Sequence, residues 1–224
     1  MIALLPMKGH SERVPGKNIK LLNGKPLFFY IADTLKLTGL FEKLVINTDS
    51  TEIANMAVSR YADWVKIIFR PNHLLGDEVP MNLIIRHDLS IMQGENIYFQ
   101  THSTNPLLTV ETIKKAVSYF NDVKLKNRTD SLFSTTLIKT RLYDKDLNPL
   151  NHNPEILQRT QDLEGVYEEN SNFYIFSNES FEKSNHRIGL NPEMFVMKRN
   201  TIESIDIDDV SDWDLVELIV KTKT

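Results

Sequence analysis

A chain of 224 residues, 41% hydrophobic and 25% charged, has the make-up of one globular domain and can bury most of its unfolded surface without staples. Its 26 Lys and Arg against 30 Asp and Glu give a net charge of −4, which argues against a general nucleic-acid binder. Cysteine is absent, which removes disulfides, thiolate metal sites and thiol nucleophiles, and no apolar run reaches signal-peptide or membrane-spanning length. A soluble, cytoplasmic protein with neither nucleic acid nor membrane as partner is expected.

Short apolar runs alternate with helix-periodic segments. IALLP (2–6) predicts a first strand, followed by the basic loop MKGHSERVPGKN. Residues 26–38 predict a helix with Pro26 in its first turn, where a missing N–H costs nothing. KLVIN (43–47) predicts a strand, and residues 50–60 a helix capped by Asp49 with Glu52 three later. VKIIF (65–69) and NIYFQ (96–100) predict two more strands. Residues 110–120 then place Val110, Ile113, Val117 and Phe120 on one helix face, with Thr109 as the cap. SLFSTTLI (131–138), FYIF (173–176), MFVMK (194–198) and SIDI (204–207) complete the strands, and a last helix over 211–221 begins at Ser211. This alternation implies an α/β protein, a three-layer Rossmann-like sandwich with a mainly parallel (mixed) sheet. Residues 1–224 read as one domain. The polar stretch from about 139 to 170 is too long for a plain connection and is expected to be a dimerisation or lid excursion.

The net charge hides an asymmetry. Lys8, Arg13, Lys17, Lys20 and Lys25 crowd one segment with Glu12 as its single acid. Seven acids and no base occupy residues 203–217. The loop after a first parallel strand opens at the carboxyl edge, where ligands bind. Gly9 and Gly16 let backbone N–H groups approach phosphate oxygens, and the cations neutralise their charge. The spacing is neither a P-loop nor G-x-G-x-x-G. On residues alone, phosphate binding and a plain solvated basic loop both stand. Asp206 and Asp208, two apart on an extended segment, point to one face and suit a hard cation, or else simply face water. Asp209, Asp212 and Asp214 read as helix-start carboxylates that complement the macrodipole.

The opening MIALLPMKGHSERVPGKNIKLLNGKPL resembles that of acylneuraminate cytidylyltransferases. INTDSTEIA, FRPNHLLGD, THSTNPLLTVETIKKA, ENSNFYIF and SIDIDDVSDWDLVE resemble further family segments in the same order. The resemblance covers nearly the whole chain and is weakest over 139–158. It implies a fold of the nucleotide-diphospho-sugar transferase type, and transfer of CMP from CTP to the anomeric hydroxyl of an acidic nine-carbon keto sugar with release of pyrophosphate.

Residue by residue, the resemblance implies that Lys8, Ser11 and Lys17 hold the triphosphate, joined by Arg13. Asn18 would contact the ribose and Arg70 the cytosine region. Asp206 and Asp208 would hold Mg²⁺. Lys8, Lys17 and Asp208 are the catalytic candidates, Asp208 also for taking the proton of the attacking hydroxyl. Sugar contacts would be His102, Asn105, Arg159, Asn170 and Tyr174, with Arg159 reaching across the interface of a homodimer. The family's phosphate-loop arginine is Lys8 here, and its Ser-Lys pair is Ser11-Glu12. Its glutamine and arginine in the sugar region align with His102 and Leu108, so a sialic, legionaminate-type or pseudaminate-type nonulosonic acid all fit. Rival readings are another nucleotide-sugar nucleotidyltransferase, a D-x-D glycosyltransferase, or a catalytically silent nucleotide-binding regulator.

Overall fold

The structure, a computed structural model, describes residues 1–92, 94, 96–126, 128–198 and 201–223. Along the chain run β1 (Ile2–Leu4), the short pair β2 (Leu21–Leu22) and β3 (Lys25–Pro26), α1 (Leu27–Thr38), β4 (Lys43–Thr48), α2 (Thr51–Tyr61) and β5 (Val65–Phe69). There follow α3 (Met81–Met92), β6 (Ile97–Thr101), α4 (Val110–Leu125), β7 (Ser131–Ile138), β8 (Val166–Ser177), α5 (Asn178–Ser184), β9 (Pro192–Met197) and α6 (Val210–Lys223). Seven strands form one sheet in the order β5-β4-β1-β6-β8-β7-β9. The β1–β4, β4–β5, β1–β6 and β7–β9 pairs are parallel, and β8 runs antiparallel to both β6 and β7.

Both sheet faces are apolar, which is why the strands read as continuous hydrophobic runs. Ala3, Leu44, Ile46, Phe99, Phe173 and Ile175 face α1, α2 and α4 through Phe28, Ile31, Ile53, Ala57, Ile113 and Phe120. Their neighbours Ile2, Leu4, Val45, Tyr98, Tyr174 and Phe176 face Ile85 and Leu89 of α3 and Phe181 of α5. The strict alternation of the two sets is the period of a pleated strand. Each fully buried large side chain contributes roughly 1.5–3 kcal/mol of transfer free energy. A slip of one residue would exchange the two sets, so register is held from both sides. Among the described residues no helix is long and apolar enough to cross a membrane.

Four local expectations need correction. Pro26 lies outside α1: it is the N-cap residue, with ψ 136°, and pairs with Leu21 in the β2–β3 ladder. Ser50, not Asp49, caps α2, its Oγ accepting from Ile53 N at 3.3 Å, while Asp49 turns toward the basic loop. The last helix begins at Val210. Asp209 Oδ1 takes the Ser211 and Asp212 N–H groups, while Asp212 Oδ2 takes that of Asp209, a reciprocal cap. SIDI forms no sheet strand: Ile202–Ser204 is a single 3₁₀ turn, and the segment after it is tied by Ile207 N to Thr104 O at 2.9 Å.

Over 139–165 the chain leaves the sheet as a polar excursion between β7 and β8. Asn151 staples it, donating to the Thr140 and Glu164 carbonyls and accepting from Leu142 N. The outer ends of β7 and β8 pair through Thr135–Ile138 and Val166–Glu169, past a register shift at Phe133/Thr135.

Candidate active site

The loop that follows β1 is folded back on the sheet edge by short-range demands. Gly9 N donates to Asp49 Oδ1 at 2.6 Å, and a Cβ at Gly9 would stand 2.8 Å from Ser50 Cβ, so glycine is required by close approach. Gly16, at φ +62°, turns the chain so that Ile19 and Lys20 N–H groups both meet its carbonyl. Asn18 Nδ2 donates to Lys8 O at 2.7 Å, and Asn18 Oδ1 accepts from Ser103 Oγ at 2.5 Å. The loop is therefore clamped to α2 on one side and to the β6–α4 connection on the other.

A cavity of about 340 Å³ opens at this edge, lined among others by Lys8, Ser11, Arg13, Lys17, Asn18, Arg70 and His102. All six residues expected at the nucleotide thus converge from the loop between β1 and β2 and from the end of β5, together with one of the five expected at the sugar. Arg70 is oriented by Asn47, whose Oδ1 accepts its Nε at 2.9 Å, and burial holds its proton affinity below the usual arginine range. Asn18 lines the cavity, but both ends of its amide serve the protein, so what the structure displays is a residue that positions the loop.

A second cavity, about 610 Å³, is acidic. Glu168, Glu169, Asn170, Ser171, Thr201, Asp206 and Asp208 line it. Lys17 joins the two: its Nζ donates to Ile207 O at 2.7 Å, between the two aspartates. Burial lowers the Lys17 pKa, opposed by attraction to Asp206 and Asp208. Burial raises the Asp206 pKa, and the like charge of Asp208 adds to that, against a Thr104 hydrogen bond and Lys17. Asp206 Oδ1 is buried with no partner among the described residues, a state that a cation would relieve. Two carboxylates with an unsatisfied buried oxygen fit a hard divalent ion that takes its other ligands from water and phosphate.

Two cations of the basic loop rest on carboxylates. Arg13 Nη2 pairs with Asp208 Oδ1 at 2.8 Å, the side chains 64% and 54% exposed, and Lys8 pairs with Asp77 at similar exposure. Exposed pairs of this kind are worth about 0–1 kcal/mol, so a polyanion can displace either one.

The expected sugar contacts divide. His102 lines the basic cavity and Asn170 the acidic one. Tyr174 is fully buried, its hydroxyl bonded to Glu169 and Arg187, so it supports the cavity wall and presents nothing to a ligand. Asn105 is also fully buried, lines neither cavity, and its amide lacks partners among the described residues. Arg159 pairs with Asp162 at 2.6 Å on the excursion, outside both cavities of its own chain. Sequence reasoning missed Arg187, Gln100 and Glu169, a polar network behind His102 that runs from buried Gln100 through half-buried Arg187 to exposed Glu169. No local pattern marks them, because Arg187 and Gln100 stand 87 residues apart.

The pattern of the family described as Cytidylyltransferase matches residues 2–222. The chain is 25% identical to the pseudaminic acid cytidylyltransferase of Campylobacter jejuni, over 98% of this chain and 96% of that protein. It is 28% identical to the CMP-N,N'-diacetyllegionaminic acid synthase of Legionella pneumophila, over 99% and 96%. Among solved structures, a CMP:2-keto-3-deoxy-manno-octonic acid synthetase complexed with CTP superposes with a TM-score of 0.69 at 12% identity, covering 100% of this chain and 99% of that one, a likeness of fold. With the family pattern spanning almost its whole length, this chain belongs to the cytidylyltransferase family.

Proposed function

We propose that this protein transfers CMP from CTP to the anomeric hydroxyl of an acidic nonulosonic sugar, with release of pyrophosphate. The observation that carries the reading is the juxtaposition of a basic and an acidic cavity with Lys17 held between them on the Ile207 carbonyl. A triphosphate brings about four negative charges, and displacement at the α-phosphorus depends on positioning and charge stabilisation more than on covalent chemistry. Lys8, Ser11, Arg13 and Lys17 take the triphosphate in this reading, and Arg70, held by Asn47, faces the base. The names of the relatives supply the class of sugar.

Asp206 and Asp208 are the residues that would hold Mg²⁺. Bound there, the ion would offset the negative charge that develops on the phosphate oxygens. Asp208 lines the acidic cavity and grips Arg13 of the basic one, so it stands where an entering sugar and the α-phosphate would meet. On triphosphate binding, Arg13 exchanges Asp208 for phosphate, which leaves the carboxylate open to the cation or to the proton of the attacking hydroxyl. Asn170 lines the acidic cavity with both ends of its amide bonded within the protein, so it shapes the sugar's pocket, and Arg159 serves the sugar from the excursion of a second copy in a homodimer.

Pyrophosphate release, measured with CTP, ATP, GTP and UTP over a panel of nonulosonic acids, tests the reading. Release with CTP and one of those acids is expected. Release with another nucleotide would favour a different nucleotidyltransferase. CTP binding without release for any sugar would favour a silent regulator.

A further inference from the structure

Arg187 is costly to bury, and no step above uses it. It lies between α5 and β9 with its side chain 14% exposed, where burial lowers its proton affinity. Its Cζ sits 3.6 Å from the centre of the Tyr174 ring, and Nη2 donates to Tyr174 Oη at 2.9 Å. Glu169 approaches to 3.8 Å. Nη1 donates to Gln100 Oε1 at 2.9 Å.

Gln100 is the informative partner. A guanidinium only donates, so the atom it meets must be the amide oxygen, and the amide can stand only one way round. The nitrogen then has two hydrogens and two acceptors: Thr101 O at 3.1 Å and His102 Nε2 at 3.0 Å. An amide nitrogen accepts nothing, so His102 Nε2 must carry the lone pair. In a neutral imidazole the proton is then on Nδ1. Burial, with Arg187 nearby, keeps the ring neutral and pushes its pKa down to about 3. Among the described residues Nδ1 has no hydrogen-bond partner, and the ring lines the basic cavity.

We propose that Arg187 and Gln100 are positioning residues that lock His102 as an Nδ1–H donor toward the bound substrate, so that the site selects an acceptor oxygen at that point and rejects a donor. The identity of the substrate rests on the function proposed above; the tautomer does not. It is the reverse of the form that unconstrained histidine favours, so it has a signature of its own.

Long-range ¹H–¹⁵N correlation spectra of histidine-labelled protein at neutral pH read it directly, with the His102 signals assigned by their loss in His102→Gln. The expected result is a protonated Nδ1 and a pyridine-like Nε2. Gln100→Glu, which offers only acceptors, should move the proton to Nε2, and Arg187→Met should give a mixture. A wild-type ring protonated at Nε2, or a Gln100→Glu spectrum unchanged from wild type, would overturn the lock. In turnover, an Asn Nδ2 stands near the place of Nδ1 and a Gln Nε2 does not. His102→Gln should therefore raise KM for one of the two substrates about tenfold, as loss of a hydrogen bond does, and His102→Asn should raise it less, with kcat changed less than KM in both. No KM change for either substrate would overturn the donor role. Absence of turnover in wild type with Nδ1–H in place would count against the proposed reaction and leave the lock standing.

Discussion

Asp88 offers a test in which sign and size both follow from the structure. It lies in α3 at 1% exposure, its Oδ1 accepting from Asn47 Nδ2 at 2.6 Å, and its Oδ2 without a partner among the described residues. Burial pushes its pKa up to about 7, against the Asn47 hydrogen bond and the attraction of Arg70. The unfolded carboxyl titrates near 3.8. Between those values the native state holds a proton that the unfolded state has released, so stability falls as pH rises. The contribution is fully present below about pH 4 and gone once pH passes through about 7. At 1.36 kcal/mol per pH unit the loss amounts to at most about 4 kcal/mol. Asp88→Asn keeps the acceptor for Asn47 and removes the charge. Urea unfolding should find it close to wild type at pH 4.5 and more stable by up to about 4 kcal/mol at pH 8, with an unchanged m-value. Equal stabilisation at both pH values, or destabilisation at pH 8, would refute the reasoning. Asn47 also orients Arg70, so the variant should keep CTP affinity at pH 8.

Lys17→Ala removes a charge-assisted contact of about 1.5–3 kcal/mol, so KM for CTP should rise roughly 10- to 150-fold and KM for the sugar much less. Equal loss for both substrates in steady-state kinetics would count against its triphosphate role. Asp77→Asn frees Lys8 from an exposed ion pair and should lower KM for CTP by at most about fivefold; a raised KM would contradict the idea that Asp77 competes with phosphate. Gly9→Ala forces a carbon to 2.8 Å from Ser50 Cβ, where about 3.5–4.0 Å is normal. It should cost roughly 1–3 kcal/mol, read as a fall of about 2–12 °C in Tm, and an unchanged melt would show that the loop is not held as described.

Much of this fold could be read from residues because both sheet faces are apolar. β5 and β7 have the ends expected of VKIIF and SLFSTTLI, and Thr109 caps α4 as its hydroxyl suggests. Where partners come from afar, reading stops. SIDI has strand composition, but its first two N–H groups close a local 3₁₀ turn, its long-range backbone tie reaches to Thr104, and no sheet edge among the described residues receives it. Asp49 and Ser50 are both good caps, and the choice between them falls to Gly9, forty residues earlier, which takes the carboxylate. Two elements were legible and went unread. Asn23-Gly24, with both residues at positive φ, is the turn that makes β2–β3 a hairpin. Met81, Ile84, Ile85 and Leu89 carry the period of α3. At the candidate site, charge placement pointed to the basic loop and the aspartate pair, which line the basic and the acidic cavity. It could not show that Tyr174 and Asn105 point into the core, because register decides that.

The most direct test of the central claim is ³¹P NMR of a reaction containing the protein, CTP, MgCl₂ and an acidic nonulosonic acid. The account predicts a new phosphodiester resonance of a CMP-sugar growing in equal amount with pyrophosphate. It also predicts that both signals disappear in Asp208→Ala. Intact CTP with every acid tested, or CTP cleaved to CMP and pyrophosphate with no phosphodiester formed, would contradict it.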